Sequence, residues 1–413
     1  MKPTHCRSVV YQVGFIFGIL ALACCNSNAL PRKTAPTAAV VKTAVGGNLE
    51  SANMGFAFDL LNELANEEPG SNIFISPYSA STALEMAASG AAGVTSAEMQ
   101  ETLGTAGIAP LALYKANKSL LDQLNGGDTN VVLTVANALW YLNGFPIKQG
   151  FLNDNAEYFD AKVAGVDFND PSAADTINAW ASEETDGKIT KIVSSPMDGG
   201  LVMLLANAVY FKGTWQNSFD STKTSPQPFY LAGGGQETVS MMQQSTNYDY
   251  YETPDYQAVR LPYSGSNIAM YVFLPSGSLQ DLMQTTSGTW WQETKAQFHP
   301  LNGSLSLPKF NLSCSLDLVQ PLQNLGIQSA FSKDANFSKI SRAPLQITDV
   351  KQQAIIEVDE QGTVAAAVTT IGVGATAVGV DSPFYMIVDR PFLLLIEDRN
   401  AATILFMGAV FAP

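Results

Sequence analysis

Histidine is almost missing from this chain of 413 residues: only His5 and His299 occur. A Ser-His-Asp hydrolase or a multi-histidine metal site has almost nothing to be built from. The residues call for no metal and no cofactor, and no paired-carboxylate motif points to a glycosidase-like hydrolase. Cysteine is equally scarce. Of the four, Cys6, Cys24 and Cys25 lie in the first 25 residues, which leaves Cys314 alone in the body. No disulfide framework is expected, so stability must come from packing. Cys314 has no histidine near it in sequence, and reads as a small buried residue rather than a nucleophile. Positive charge is the third shortage: 22 Lys+Arg face 37 Asp+Glu, a formal net charge of −15. Nucleic acid and anionic lipid, which need a cationic face, are thereby excluded as main partners. At 46% hydrophobic and 14% charged, the chain has ample material for a buried core.

The N-terminus has a separate logic. Lys2 and Arg7 precede the apolar run Val9 to Cys25, followed by small residues. That is the pattern of a secretory signal. Two readings of its end stay open. Imperfect lipobox-like ends leave a lipid-modified Cys24 or Cys25 as a membrane tether, whereas Ser27-Asn28-Ala29 offers an ordinary cleavage site. A retained membrane anchor is the bland alternative, though the run is short for one. Residues 1–25 are therefore expected to be a signal peptide or lipoprotein leader, and the protein to be exported: extracellular or periplasmic, or held at the cell surface by lipid. Removing the leader takes away Lys2 and Arg7 and leaves 20 basic against 37 acidic residues, or −17. Residues 26–48 are small, Pro- and Gly-punctuated and aperiodic, and read as a flexible tether. Beyond them no linker or internal repeat divides the chain, so 49–413 is expected to be one domain.

Within that body, apolar positions from Ala52 to Ala65 fall on one broad helical face. Ile73-Phe74-Ile75 reads as a short strand, and Ser76-Pro77 as the start of a helix through Ala88. Thr95 with Glu98 suggests a capping box. Val131 to Leu142 and Leu201 to Phe211 are long apolar strands with Asn137 and Asn207 near their middles, suited to the interior of a large sheet. A helical stretch, Ala174 to Glu184, lies between them. The second half is mostly strands: Val259 to Leu261, Ile268 to Leu274, Leu305 to Leu307, Ile355 to Asp359, Phe384 to Val388, Phe392 to Ile396 and Thr403 to Val410. The class is α+β, with helices early and strands late.

One segment is anomalous. Gly362 to Val380, GTVAAAVTTIGVGATAVGV, contains nineteen residues drawn only from Gly, Thr, Val, Ala and Ile. A transmembrane helix needs about this length, but four glycines and four threonines among β-branched neighbours favour extended chain. A permanent strand of nineteen residues exceeds the usual 3–10. A greasy exposed loop is an aggregation hazard. A segment that is a loop in one state and a strand in another resolves the conflict. As a strand, Thr363, Ala365, Ala367, Thr369, Ile371, Val373 and Ala375 share a face that buries without desolvating a charge. Thirteen residues span roughly 43 Å at about 3.3 Å each, the length of a strand that crosses a whole large sheet.

At these residues the sequence resembles the serpins, the suicide inhibitors of serine proteases. Glu360-Gln361-Gly362-Thr363-Val364-Ala365-Ala366-Ala367 resembles the family's hinge, and Met386 to Ile396 (MIVDRPFLLLI) its C-terminal signature. Asn72 to Ser79 (NIFISPYS) and Gly90 to Thr95 (GAAGVT) match its early helical region. Ile177 to Trp180, Thr185 to Ile189, and Asn207 to Trp215 (NAVYFKGTW) match its middle. The order and spacing of these motifs cover the body from about Asn48 to Pro413.

The resemblance implies a serpin fold: a large central sheet A, two further β-sheets, eight to nine helices and an exposed reactive-centre loop, here about 360–383. It also implies a monomer that forms a covalent complex with a serine protease. It places the hinge at Glu360, Gly362, Thr363 and Ala365 to Ala367, and the reactive bond fourteen residues beyond the hinge glycine, between Thr376 and Ala377, with a slip of one or two residues allowed. Gly374, Ala375 and Val378 surround that bond with small residues, so the expected target is elastase- or subtilisin-like. The chain would then be an irreversible inhibitor and not an enzyme, in keeping with its lack of histidine, and an exported prokaryotic member of the family. Ser76, Ser79, Asn207 and Gln352 are placed in the shutter, where strands part, and Trp215 near the insertion point. There are departures from the family pattern. Acids are frequent where Gln361 and Val364 stand, and a histidine is usual where Gln352 stands. Glutamine hydrogen-bonds Ser76 or Asn207 but does not titrate. The competing reading is a non-inhibitory, serpin-like binding or carrier protein.

Overall fold

The computed structural model describes residues 5–8, 44–125, 131–197, 200–363 and 382–413. In chain order the elements begin with β1 (His5–Ser8), α1 (Ala44–Glu67), β2 (Ile73–Ile75), α2 (Pro77–Ser89), α3 (Gly93–Thr102) and α4 (Pro110–Asn125). The middle comprises β3 (Val131–Leu142), α5 (Gln149–Tyr158), β4 (Lys162–Val166), α6 (Ala173–Glu184), β5 (Met203–Thr214), β6 (Ser225–Tyr230), β7 (Gln236–Glu252), β8 (Tyr256–Pro262) and β9 (Ile268–Pro275). Then come α7 (Leu279–Thr285), α8 (Gly288–Lys295), β10 (His299–Pro308), β11 (Phe310–Asp317), α9 (Val319–Asn324), β12 (Asp349–Asp359) and β13 (Gly362–Thr363). The chain closes with β14 (Phe384–Ile387), β15 (Phe392–Asp398) and β16 (Thr403–Val410).

Two sheets organise these elements. A seven-stranded sheet runs β1-β11-β12-β13-β5-β3-β4, and a nine-stranded one follows β14-β10-β7-β8-β9-β15-β16-β2, with β6 on β7. The 17-residue β7 is long enough to pair with β6, β10 and β8 in turn, and so joins the two smaller sheets of the expected fold into one hydrogen-bonded path. The main core lies between the sheets and under α1 and α2. On the opposite face of the first sheet, α6 packs a smaller cluster in which Trp180 meets Trp140 edge-on at 6.1 Å. The expectation of long interior strands at β3 and β5 holds. Nine consecutive residues of β5, Met203 to Phe211, are buried.

Three expectations, on the tether, the capping box and Cys314, need correcting. The expected tether runs to Asn48, yet α1 starts at Ala44, because Leu49, Ala52 and Asn53 are buried and hold its first turns against the core. Thr95 and Glu98 do not form a capping box. The helix begins at Gly93, Thr95 contacts Ser329, and the Glu98 carboxylate accepts from the Gln328 and Ser329 amides. Part of the expected leader, His5–Ser8, is paired as an edge strand on β11, with Cys6 opposite Cys314. Cys314 is buried as expected, but it is disulfide-bonded rather than a lone thiol. Among the described residues no helix is long and apolar enough to cross a membrane.

Candidate functional site

The site is the seam between β5 and β12. These two strands run parallel and pair directly over seven positions, from Leu204–Asp349 to Tyr210–Ile355. Above Tyr210 they part, and β13 fills the gap. Thr363 lies between Gly213 of β5 and Val358 of β12, and Gly362 between Thr214 and Asp359. The first two residues of the anomalous segment are thus already strand, antiparallel to both neighbours. Glycine is required at 362. Its φ is +154°, and a Cβ there would sit 2.0 Å from the Gly213 carbonyl oxygen.

Thr363 is fully buried, and its hydroxyl lies 2.7 Å from the Tyr263 hydroxyl. Tyr263 stacks on Trp215 at 4.6 Å and meets Phe211 edge-on at 5.0 Å. The Trp215 indole donates to the Asp359 carbonyl (3.0 Å), and the Trp215 amide donates to the Gln361 carbonyl (2.9 Å). Trp215 is therefore tied to both ends of the turn before β13. Burial pushes the Tyr263 hydroxyl far above the usual tyrosine range, so it stays a neutral partner for Thr363.

The approach to the hinge is held by charge. Glu360 accepts from Lys309 Nζ at 2.7 Å and from the Thr224 hydroxyl at 2.7 Å. Burial raises its pKa, but the bonds from Lys309 and Thr224 outweigh this and hold the carboxyl below the ordinary glutamate value. Asp359 Oδ1 accepts from the Gln361 and Gly362 amides at 2.8 and 3.2 Å. That satisfies backbone donors which the part-way strand leaves without a ladder partner.

Lower in the seam, three amide side chains stand in one row: Asn137 pairs with Asn207 across β3 and β5, and Asn207 with Gln352 across β5 and β12. Gln352 is 1% exposed. Its Oε1 accepts from the Ser76 amide (2.9 Å), and its Nε2 donates to the Ser76 carbonyl and to Asn207 Oδ1 (3.0 Å each). Asn207 Nδ2 donates to the Ser79 hydroxyl and, at 2.7 Å, to Asn137 Oδ1. Ser76 caps α2 while its hydroxyl donates to the Leu405 carbonyl. The expected Ser76, Ser79, Asn207 and Gln352 thus form one closed, fully buried network. The glutamine bonds Ser76 and Asn207 together rather than either alone. Chemically the arrangement is a zip: each bond across β5–β12 must break before another strand can lie between them.

Val364, Ala365, Ala366, Ala367, Thr376 and Ala377, together with Cys24 and Cys25, lie outside the described residues. Sequence reasoning missed four members of the site. Asn137 was visible as a polar residue amid a buried apolar strand. Tyr263, Lys309 and Thr224 carry no local signal, since they come from other elements and matter only through tertiary contact.

A family model described as Serpin (serine protease inhibitor) matches residues 51–413. An uncharacterized serpin-like protein of Methanosarcina mazei is 33% identical over 388 residues, covering 89% of this chain and 88% of that protein. The leukocyte elastase inhibitor of Bos taurus is 34% identical, covering 88% and 99%. Among solved structures, human thyroxine-binding globulin superposes with a TM-score of 0.83 at 29% identity, covering 90% of this chain and all of that one.

Proposed function

The chain belongs to the serpin family, and from that premise we propose that it is an irreversible, suicide-type inhibitor of a serine endopeptidase with elastase- or subtilisin-like specificity. The observation that carries the reading is the seating of Gly362 and Thr363 between β5 and β12. The sequence that follows is uncharged and small, and the seam below β13 is closed by seven residue pairs and the Gln352 network. In this reading the target's serine attacks the Thr376 carbonyl, an ester to Thr376 forms, and the Thr376–Ala377 bond breaks to release the Ala377 amine. The freed arm then zips downward between β5 and β12, carrying the acylated protease with it before water can hydrolyse the ester. The nucleophile and base belong to the target.

Mixing the full chain with an elastase-like protease tests this. An SDS-stable adduct at the summed mass, with the new N-terminus at or within two residues of Ala377, is expected. Simple cleavage without adduct refutes it. A second reading, a non-inhibitory carrier, has in its favour the likeness to thyroxine-binding globulin. It predicts no adduct, and no gain in heat resistance after the loop is nicked.

We also propose export by the leader 1–25, to an extracellular or periplasmic site or to a lipid tether at Cys24 or Cys25. The basic start and apolar run support it. Ordinary cleavage after that leader takes away three of the four cysteines, so the processed chain should contain one cysteine, Cys314, and no internal disulfide. Mass spectrometry of the mature N-terminus with a thiol count checks both statements, and an intact Met1 start would overturn them.

A further inference from the structure

Remote from the hinge, the turn between β7 and β8, the segment around α7 and the outer face of α8 line an open cavity of about 700 Å³. Its walls combine two features. One is a corner of aromatic rings: Tyr256 meets Trp290 edge-on at 6.0 Å and Tyr251 edge-on at 6.2 Å, with Tyr251 and Trp290 half-buried. The Tyr256 hydroxyl is 3.3 Å from that of Thr294, which fixes the ring between the other two. The other feature is a set of three exposed carboxylates, Asp255, Asp281 and Glu293, for which no described residue provides an ion pair or a side-chain hydrogen bond. Among the described residues no Lys, Arg or His lines the space. Two cations beside it are engaged elsewhere. Lys295, at the end of α8, pairs with the buried Glu397 at 3.1 Å, and Arg390 at the rim pairs with Asp389 and donates to the Pro275 carbonyl.

Aromatic faces attract positive charge through their quadrupole, and unpaired carboxylates add a long-range field of the same preference. A metal ion is poorly matched, because the described acids do not gather into a ligating group of three. An anion is repelled. A bulky, weakly hydrated cation satisfies both walls at once. We propose that this cavity is a binding site for small organic cations of the alkylammonium class, with the cationic centre against Tyr251 and Trp290 and the carboxylates around it. The site is separate from the inhibitory seam, and the proposal does not depend on the reading of that seam.

Calorimetry on the full chain with choline, and with its neutral isostere 3,3-dimethylbutan-1-ol, tests it. The expected result is one choline per chain at millimolar affinity or tighter, weakened by salt, with the isostere at least about tenfold weaker. The triple variant Asp255→Asn, Asp281→Asn, Glu293→Gln alters exposed groups only. It should keep its thermal midpoint, lose choline binding by at least about tenfold and leave protease adduct formation as it was. Equal binding of choline and the isostere, unchanged binding in the triple variant, or no binding at tens of millimolar overturns the proposal. Because adduct formation is read separately, failure here leaves the inhibitory reading standing, and the reverse holds as well.

Discussion

Replacing Thr363 by arginine is the sharpest test of the seam. Thr363 is fully buried with its hydroxyl on Tyr263, so an arginine at that position in the sheet points a guanidinium into the aromatic cluster of Tyr263, Trp215 and Phe211. An unpaired charge buried there costs about 3–5 kcal/mol. Against it stand the strand pairings of two residues and one hydroxyl bond, each worth about 1 kcal/mol net. The terms are close in the native form. In the Thr363→Arg variant the substituted residue therefore leaves the sheet at little cost to native stability, because only β13 is lost. In the proposed mechanism insertion after cleavage begins at this residue, and a barrier higher by about 3–5 kcal/mol would slow it by roughly 10²- to 10⁴-fold. The ester is then hydrolysed first. Titrating the Thr363→Arg variant against an elastase-like protease should give cleaved inhibitor and free enzyme in place of the SDS-stable adduct. Thr363→Val is the control. It keeps the shape but leaves the Tyr263 hydroxyl unpaired, at a cost of about 1–3 kcal/mol, and adducts should persist. Wild-type adduct yield from Thr363→Arg would refute the reasoning.

Three further outcomes follow from the same geometry. Gly362→Ala places a methyl 2.0 Å from the Gly213 carbonyl oxygen, so the hinge should back out, with a shift in Trp215 emission and a smaller gain in heat resistance after nicking; an unchanged gain counts against this placement. Gln352→Leu leaves the Ser76 amide and Asn207 Oδ1 short of partners inside the core, at about 1–3 kcal/mol each, and a fall in thermal midpoint should be seen by calorimetry. The fully buried Glu85 carries a carboxyl pushed up to about 8 by desolvation, which the bond from Asn117 only partly offsets. Its folded pKa exceeds the ordinary 4.5, so its contribution is whole below about pH 4.5 and is lost as pH rises toward 8. Glu85→Gln should therefore flatten the decline in stability over pH 5 to 8 by up to about 1.4 kcal/mol per pH unit, seen as a shallower fall in thermal midpoint, and superimposable curves would contradict it.

Much of the architecture was legible because it is written in periodicity. The apolar runs of β3, β5, β9, β15 and β16 have few structures open to them other than buried strands, and Ser76-Pro77 announces α2 through cap chemistry. β6, β7 and β11 were not read, because their alternation mixes Ser, Gln and Thr with scattered apolar residues and is fixed only by their partners. The candidate site divides along the same line. Gly362, Thr363, Asn207 and Gln352 stand out locally: a glycine where backbone approaches backbone, a hydroxyl on an uncharged face, amides in greasy strands. Tyr263 is 100 residues from the threonine it touches and Lys309 is 51 from the acid it pairs with, so only the folded topology reveals them. The disulfide at Cys314 was missed for a related reason, since the sequence-based reading sets the first 25 residues apart from the body.

The seating of β13 also bears on how copies of this chain treat one another. A parted pair of strands presents backbone groups with which an extended peptide of another copy can pair. Here the mouth of the cleft is stoppered by the molecule's own Gly362 and Thr363, so an intruding segment must first dislodge them. At high concentration or on warming, self-association should then depend on how tightly that stopper is held, and so on the contacts of Tyr263 with Thr363 and of Glu360 with Lys309.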